Sequence, residues 1–376
     1  LRQAERDMLY AVYDFEQYKR EFAVNVASDY LGVLLALRRV ENAEDNYRRK
    51  VTSTRRMRRL ADSGRQQEYQ FDQSVQDELG AREGWVQAKA SYQTSLDRLK
   101  VTLGLPPDAA IELSESDLDQ LRTRAEELTQ GVEVADYSGA VPPADAPVSL
   151  QEPTREHAGP LELDEAEATR LALESRPDLR VALGRVEDAQ RAVMVAADSL
   201  RAELTLLGSG SIGESRSIGS ADQANATWRA AEATYSGLLT LDLPFERTRE
   251  RNQYRTSLIA LEQAVRAYQA AEDGVKLDIR ERLRALLLAR ERVVIQAQAV
   301  RLAERRVRST DLFLQAGRMA VRDVLEAQDD LLSAQNSLIS AVVSYREAEW
   351  QLQRDLGLLA VDVDGLWREY RPERSK

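Results

Sequence analysis

From residue 247 to 315 the apolar positions recur at steps of three, four and seven. Leu283, Leu286, Leu287, Ile295, Val300, Leu302 and Val307 carry that spacing, which aligns them along one side of a helix as a coiled-coil seam requires. No Pro interrupts the stretch, and Gly274 is isolated. About 65 residues at 1.5 Å each make a rod of roughly 100 Å, far longer than a globular domain needs, so the helix reads as a strut. Residues 1–61 read the same way, with Gly32 isolated. Tight turns are expected at Asp62-Ser63-Gly64 and at Gln315-Ala316-Gly317, where glycine adopts the left-handed conformation that ends a helix. A returning helix then runs to Leu103 in one case and Leu356 in the other, each stopped by glycine.

Elsewhere the period changes. Leu239, Leu241, Leu243 and Phe245 alternate with Leu238, Thr240, Asp242 and Pro244, a period of two that predicts a strand. Residues 203–209, with Leu204 and Leu206 on one side, form a weaker partner, and the linker between the two is rich in Gly, Ser and Ala. Residues 105–162 hold Pro106-Pro107, Pro142-Pro143, Pro147, Pro153 and Pro160, a loop-rich insert with one short helix expected near 114–129. Helical pattern resumes at Leu163-Asp164-Glu165 and continues to about Arg201, broken at Arg176-Pro177.

The two long hairpins are copies of one another. Gly64-Arg65 recurs as Gly317-Arg318, an offset of 317 − 64 = 253. At the same offset Leu79 meets Leu332, Ala88 meets Ala341, Ser91-Tyr92 meets Ser344-Tyr345, and Leu103-Gly104-Leu105 meets Leu356-Gly357-Leu358. An ungapped repeat of this length gives both hairpins equal arms and fixes the fold. The offset also pairs Leu1 with Tyr254, which lies past the strand-to-helix change at Pro244. The first copy therefore lacks the strand pair and helix that precede the second. A truncated sequence is the expectation, and a first copy built without those elements is the alternative; Leu1 is not a start methionine, and the first residues already read as mid-helix.

Composition narrows the function. The 376 residues are 43% hydrophobic and 31% charged, with a net charge of −11 at pH 7. That balance argues against a nucleic-acid binder, which would carry a basic face. The run Arg55-Arg56-Met57-Arg58-Arg59 is then expected to be a solvated or salt-bridged helix face. No cysteine is present, and the lone His157 sits among prolines, which disfavours histidine metal sites and Ser-His-Asp chemistry. No apolar run of about 18 residues exists to form a membrane-spanning helix. No phosphate loop, metal spacing or nucleophile-base pair stands out, so no catalysis and no cofactor are expected.

Three segments carry a family resemblance. Ala172-Leu173-Glu174-Ser175-Arg176-Pro177-Asp178-Leu179, followed by a helix and a strand pair ending Leu241-Asp242-Leu243-Pro244-Phe245, resembles the second half of a TolC-type outer-membrane efflux protein. Ala316-Gly317-Arg318-Met319-Ala320-Val321-Arg322-Asp323-Val324-Leu325-Glu326-Ala327-Gln328 resembles that family's hairpin tip. So does the stretch from Ser333-Ala334-Gln335-Asn336 through Tyr345 to Arg354-Asp355-Leu356-Gly357. The likeness covers nearly the whole chain.

The resemblance implies a mainly α fold. Duplicated long antiparallel helical hairpins would form a trimeric α-helical barrel, with a small β contribution to an outer-membrane β-barrel. The chain would divide into a first hairpin at 1–104, an insert at 105–162, helices leading to the barrel at 163–202, a strand pair at 203–246, a second hairpin at 247–358 and a tail at 359–376. Leu239, Leu241, Leu243 and Phe245 would face lipid, with Thr240 and Asp242 toward the lumen. Trp228 and Tyr235 would join Phe245 in an interfacial aromatic belt, with ordinary packing as the other reading. Implied partners are two further copies, a periplasmic adaptor, an inner-membrane transporter and outer-membrane lipid, without nucleic acid.

Asp323 and Glu326 lie three residues apart and so share one helix face. The resemblance makes them rings of carboxylates at the channel constriction; the plain alternative is acids favouring the positive end of a helix. Gln70 and Gln73 occupy the matching places in the first copy. Gly64, Arg65, Gly317 and Arg318 would form tips that dock the adaptor, although the turns need glycine regardless. The implied function is a passive outer-membrane conduit for tripartite efflux or type I secretion. The alternatives are a periplasmic adaptor, which has one hairpin between sheet-rich modules, and a coiled-coil scaffold without a pore.

Overall fold

The structure is a computed structural model that describes residues 2–64, 67–114, 117, 120, 123, 159–211, 233–243, 245–362 and 367–370. In chain order the elements are α1 (Arg2–Asp62), α2 (Glu68–Thr102), α3 (Glu165–Ser175), α4 (Pro177–Asp198), β1 (Glu203–Ser211), β2 (Thr234–Asp242), α5 (Thr248–Gln315), α6 (Val321–Asp355), β3 (Ala360–Val361) and β4 (Trp367–Arg368). The chain separates into two compact units. One joins residues 1–10 to 179–272, and the other joins 11–178 to 273–376. The helix expected near 114–129 lies largely outside the described residues, and His157 lies wholly outside them.

The duplication holds down to single hydrogen bonds. α1 and α5 end at Asp62 and Gln315, α2 and α6 at Thr102 and Asp355, each pair at the repeat offset. Past α2, Leu105 N donates to Lys100 O at 2.8 Å and Gly104 N to Val101 O at 3.0 Å; past α6, Leu358 N donates to Gln353 O at 3.1 Å and Gly357 N to Arg354 O at 2.9 Å. This pairing satisfies carbonyls that a helix end would otherwise leave open. It needs a left-handed residue, and Gly104 and Gly357 supply it at φ 71° and 73°.

The smaller unit is built on α4 and the strand pair. α4 opens with Pro177, whose absent amide costs nothing at a first helical position, and Arg176 before it is extended. Arg6 of α1 reaches Asp188 at 2.7 Å and Glu187 at 2.9 Å on α4, and Tyr10 Oη donates to Asp188 Oδ2 at 2.7 Å. Burial and the Asp188 carboxylate together raise the Tyr10 pKa above its ordinary value. The phenol stands where a side chain at Gly184 would project, with Tyr10 Oη 2.5 Å from the Cβ position. β1 and β2 pair antiparallel from Glu203↔Asp242 to Ser211↔Thr234. β1 therefore runs two residues, and β2 begins four residues, further into the Gly/Ser-rich connection than the alternation suggested.

The larger unit holds the two helical hairpins, α3 and the chain's last strands. Its apolar interior includes Val24, Leu31, Val33 and Leu34 of α1 with Val275, Ile279, Leu286 and Val293 of α5. Near the turns, Met57, Leu314, Val321, Val324 and Leu325 form one buried cluster, with Leu60 and Phe71 against it. The cluster takes side chains from all four long helices, so the hairpins are held together at their tips as well as along their arms. The tail adds a detail absent from the sequence pattern. β3 and β4 pair, Trp367 packs on Trp350 with ring centroids 5.0 Å apart, and Tyr370 N donates to Gln353 Oε1 at 2.9 Å.

Candidate channel wall and hairpin tips

At the first tip, Ser63 N donates to Arg59 O at 3.2 Å and Gly64 N to Ala61 O at 2.9 Å. At the second, Ala316 N donates to Leu312 O at 3.1 Å, Gly317 N to Leu314 O at 3.0 Å and Arg318 N to Phe313 O at 2.9 Å. Gly64 and Gly317 sit at φ 69° and 68°, and no atom lies within 4 Å of a Cβ built on either. Backbone handedness alone therefore demands glycine there. The Arg318 side chain is exposed, and Arg65 lies outside the described residues.

Asp323 is the third residue of α6, after an Ala320 cap that offers no side-chain bond. Its carboxylate therefore lies at the positive end of a helix whose cap residue offers no side-chain acceptor. Glu326 stands one turn on, exposed, with Oε1 3.5 Å from Arg306 of α5. Arg306 also binds Asp330. Of the two candidate acids, only Glu326 thus carries a cation from the neighbouring helix.

The strand pair presents two chemically distinct faces. Residues paired across an antiparallel ladder share a face. Leu204 with Leu241, Leu206 with Leu239 and Gly210 with Tyr235 make one side apolar. Glu203 with Asp242, Thr205 with Thr240, and Ser209 with Ser236 make the other polar, the two serine hydroxyls 2.7 Å apart; Leu207 with Leu238 is its apolar exception. Every residue of β1 and β2 is exposed.

Two positions correct the expected strand. β2 ends at Asp242, so Leu243 and Phe245 lie beyond it. There Phe245 N donates to Leu243 O at 2.8 Å, a bond that no extended strand makes. Arg247 anchors the same end, with Nη1 3.0 Å from Asp242 Oδ2 and Nη2 donating to Arg201 O at 3.1 Å. Phe245 is left 90% exposed. Pro244 and Trp228 lie outside the described residues.

Sequence reasoning passed over a polar seam on α1. Ala43, Asn46, Lys50, Ser53 and Met57 are all buried, at steps of three and four. Lys50 Nζ donates to Leu325 O at 2.8 Å, and Asn42 Nδ2 donates to Asn336 Oδ1 at 2.9 Å. The spacing is legible in the sequence, but polar residues carry most of it. The Arg55–Arg59 run behaves as a salt-bridged face, with Arg56 2.5 Å from Asp311 and Arg58 3.1 Å from Asp62.

Among the described residues no cluster of three or more His, Cys, Asp or Glu could hold a metal ion. None of the described helices is long and apolar enough to cross a membrane, which leaves a β-barrel untouched as a possibility.

Comparison with known proteins agrees with this architecture. The profile of the outer membrane efflux protein family matches residues 168–358. The outer-membrane channel OprN has a similar structure, with a TM-score of 0.68 at 17% identity over 93% of this chain and 68% of that one. The CmeC outer membrane channel of Campylobacter jejuni gives 0.66 at 16% identity, over 95% of this chain and 66% of that one. The open state of the Neisseria gonorrhoeae MtrE outer membrane channel gives 0.64 at 16% identity, over 93% and 69%. At these identities the likeness speaks for the fold. No curated protein matches the chain. With half its length covered by the family's profile and its duplicated hairpins laid out as in these channels, the chain belongs to the outer membrane efflux protein family.

Proposed function

We propose that three copies of this chain assemble into a duct that passively carries cargo across the outer membrane. A periplasmic adaptor and an inner-membrane transporter deliver that cargo, either small molecules in a tripartite efflux pump or proteins in type I secretion. The observation that carries the reading is the β1–β2 pair. Its faces are sorted into leucines and hydroxyl or acidic groups, yet both are exposed, and among the described residues neither outer edge is paired. Lipid offers no partner for edge amides, so strands of this kind must close with others into a barrel, apolar side outward. A periplasmic adaptor or a soluble scaffold has no use for such a pair.

In this reading Asp323 and Glu326 ring the narrow periplasmic entrance, where like carboxylates gathered by three-fold symmetry attract cations. Gly64-Arg65 and Gly317-Arg318 form the tips that meet the adaptor. The test is the full chain reconstituted in a planar bilayer. Stepwise conductance with cation block is expected, and Asp323→Ala with Glu326→Ala should weaken the block. A bilayer that stays silent refutes the duct; conductance with unaltered block refutes the acidic ring alone.

A further inference from the structure

Arg49 occupies a seam position that the repeat gives to a leucine. The offset carries Arg49 onto Leu302, and the earlier members of its heptad row, Leu35 and Asn42, onto Leu288 and Ile295. A cation in that row has to be accommodated. Asp45 stands one turn before it, at the spacing by which Glu44 holds Arg48 at 2.5 Å. Among the described residues, however, Arg49 pairs with no carboxylate. Its Nε and Nη2 are buried instead, with no hydrogen-bond partner. Leaving charged donors buried and unbonded is costly, so the arrangement calls for an acceptor.

The two nitrogens form one edge of the guanidinium, where parallel N–H bonds are spaced to hold two oxygens of a single anion. The side chain lines a groove of about 550 Å³ between α1, α5 and α6. Arg48, Arg56 and Arg308 line it too, and the acids among the described lining residues are Asp45 and Asp311. The groove is thus locally cationic in a chain of net charge −11. Arg56 is held by Asp311 at 2.5 Å. Arg308 is 73% exposed, and its contacts with Glu304 are long, 3.9 Å to the carboxylate and 3.4 Å to the backbone oxygen, so it can turn inward. Ser53 adds a hydroxyl from the buried side. Gln328, 8% exposed, adds a buried carbonyl, Oε1, that likewise has no hydrogen-bond partner.

We infer that this groove binds a compact oxyanion of the phosphate class. Arg49 grips it edge-on, Arg56 and Arg308 balance its charge, and a protonated oxygen donates to Gln328 Oε1. Chloride offers one centre where the guanidinium edge holds two, and an ionised carboxylate has no proton for Gln328. Hydrogen phosphate meets both demands. The bound anion would join α1 of one hairpin to α5 of the other, beside the Arg56–Asp311 pair that already links them. The site lies within one copy, so it stands whether or not copies form a duct.

The test is equilibrium dialysis of the full chain in detergent against radiolabelled inorganic phosphate at neutral pH, with sodium chloride holding the ionic strength constant. Saturable binding of one phosphate per chain is expected against that chloride background. Arg49→Leu installs the residue that the repeat itself uses there, and should abolish the saturable binding while circular dichroism shows the helices intact. Arg308→Gln, on the exposed rim, should raise the dissociation constant about threefold. Binding that never saturates in the parent overturns the site, as does full binding by Arg49→Leu. Should Arg49→Leu fail to fold, an unchanged dissociation constant in Arg308→Gln overturns it instead.

Discussion

Lys50 Nζ lies 2.9 Å from Asp329 Oδ1, and the two side chains live in different solvents: Lys50 is 1% exposed, Asp329 59%. The ammonium also holds Leu325 O, so one buried cation ties α1 to two successive turns of α6. The pair is asymmetric. Loss of the lysine leaves a carboxylate that water can solvate, whereas loss of the acid leaves a buried charge with less to compensate it.

The order of cost among variants should follow that asymmetry. Asp329→Asn is expected to destabilise by about 3 kcal/mol. Lys50→Met keeps the buried stem and should cost about 1 kcal/mol, while Lys50→Ala adds a cavity and should cost about 2–4 kcal/mol. Denaturant unfolding followed by helical circular dichroism ranks the three. Lys50→Met costing more than Asp329→Asn would contradict the account.

Asp77 faces the same lysine. Burial raises its pKa above the ordinary 3.8; Lys50 draws it down and Asp329 pushes it up. An acid whose folded pKa is raised binds more protons folded than unfolded. Its contribution is therefore most favourable below 3.8 and is lost as pH rises through the elevated value. Asp77→Asn should be more stable than the parent at pH 7, and the advantage should vanish as pH falls through that window. Melting curves of both proteins across pH settle it.

Gly104 and Gly357 share a left-handed φ, yet their surroundings differ. A Cβ at Gly104 meets nothing within 4 Å, while one at Gly357 falls 2.9 Å from Ser175 O at the end of α3. Gly104→Ala should cost about 1–2 kcal/mol from backbone strain alone. Gly357→Ala should cost more, because α3 must move. Equal shifts in melting temperature would show that the contact yields freely.

The contacts that hold the last strands to α6 include Trp350 against Trp367, Trp350 Nε1 donating to Glu369 at 3.0 Å, and Arg346 2.5 Å from the same carboxylate. Trp367→Ala should release the segment without melting the hairpins, for a global loss of about 1–3 kcal/mol. Limited proteolysis should then cut between 360 and 370 faster while the helical signal holds. An unchanged cleavage rate would mean that the ring pair is dispensable.

Much of this molecule was legible in advance because its restraints are local or periodic. Glycine at φ near +70° marks every hairpin end, and a heptad seam that never meets proline has to continue as a helix. The strand pair was visible for the same reason, although what anchors its end was not. Proline at 244 marks that end to within two residues, whereas the bond from Arg247 to Arg201 O joins segments 46 residues apart, and no local pattern carries that. Glu326 could be placed on its helix face by spacing, but not beside Arg306, because α5 and α6 meet only in the folded chain.

The sequence by itself determined which segments are rods, where they reverse, and that the design is used twice, since each follows from backbone handedness and the period of apolar side chains. Only the tertiary structure decided which polar groups are buried. Lys50 sits in a row of residues that reads as an ordinary charged helix until α6 closes over it. Desolvation is a property of what packs against a residue, and α6 arrives from the far end of the chain.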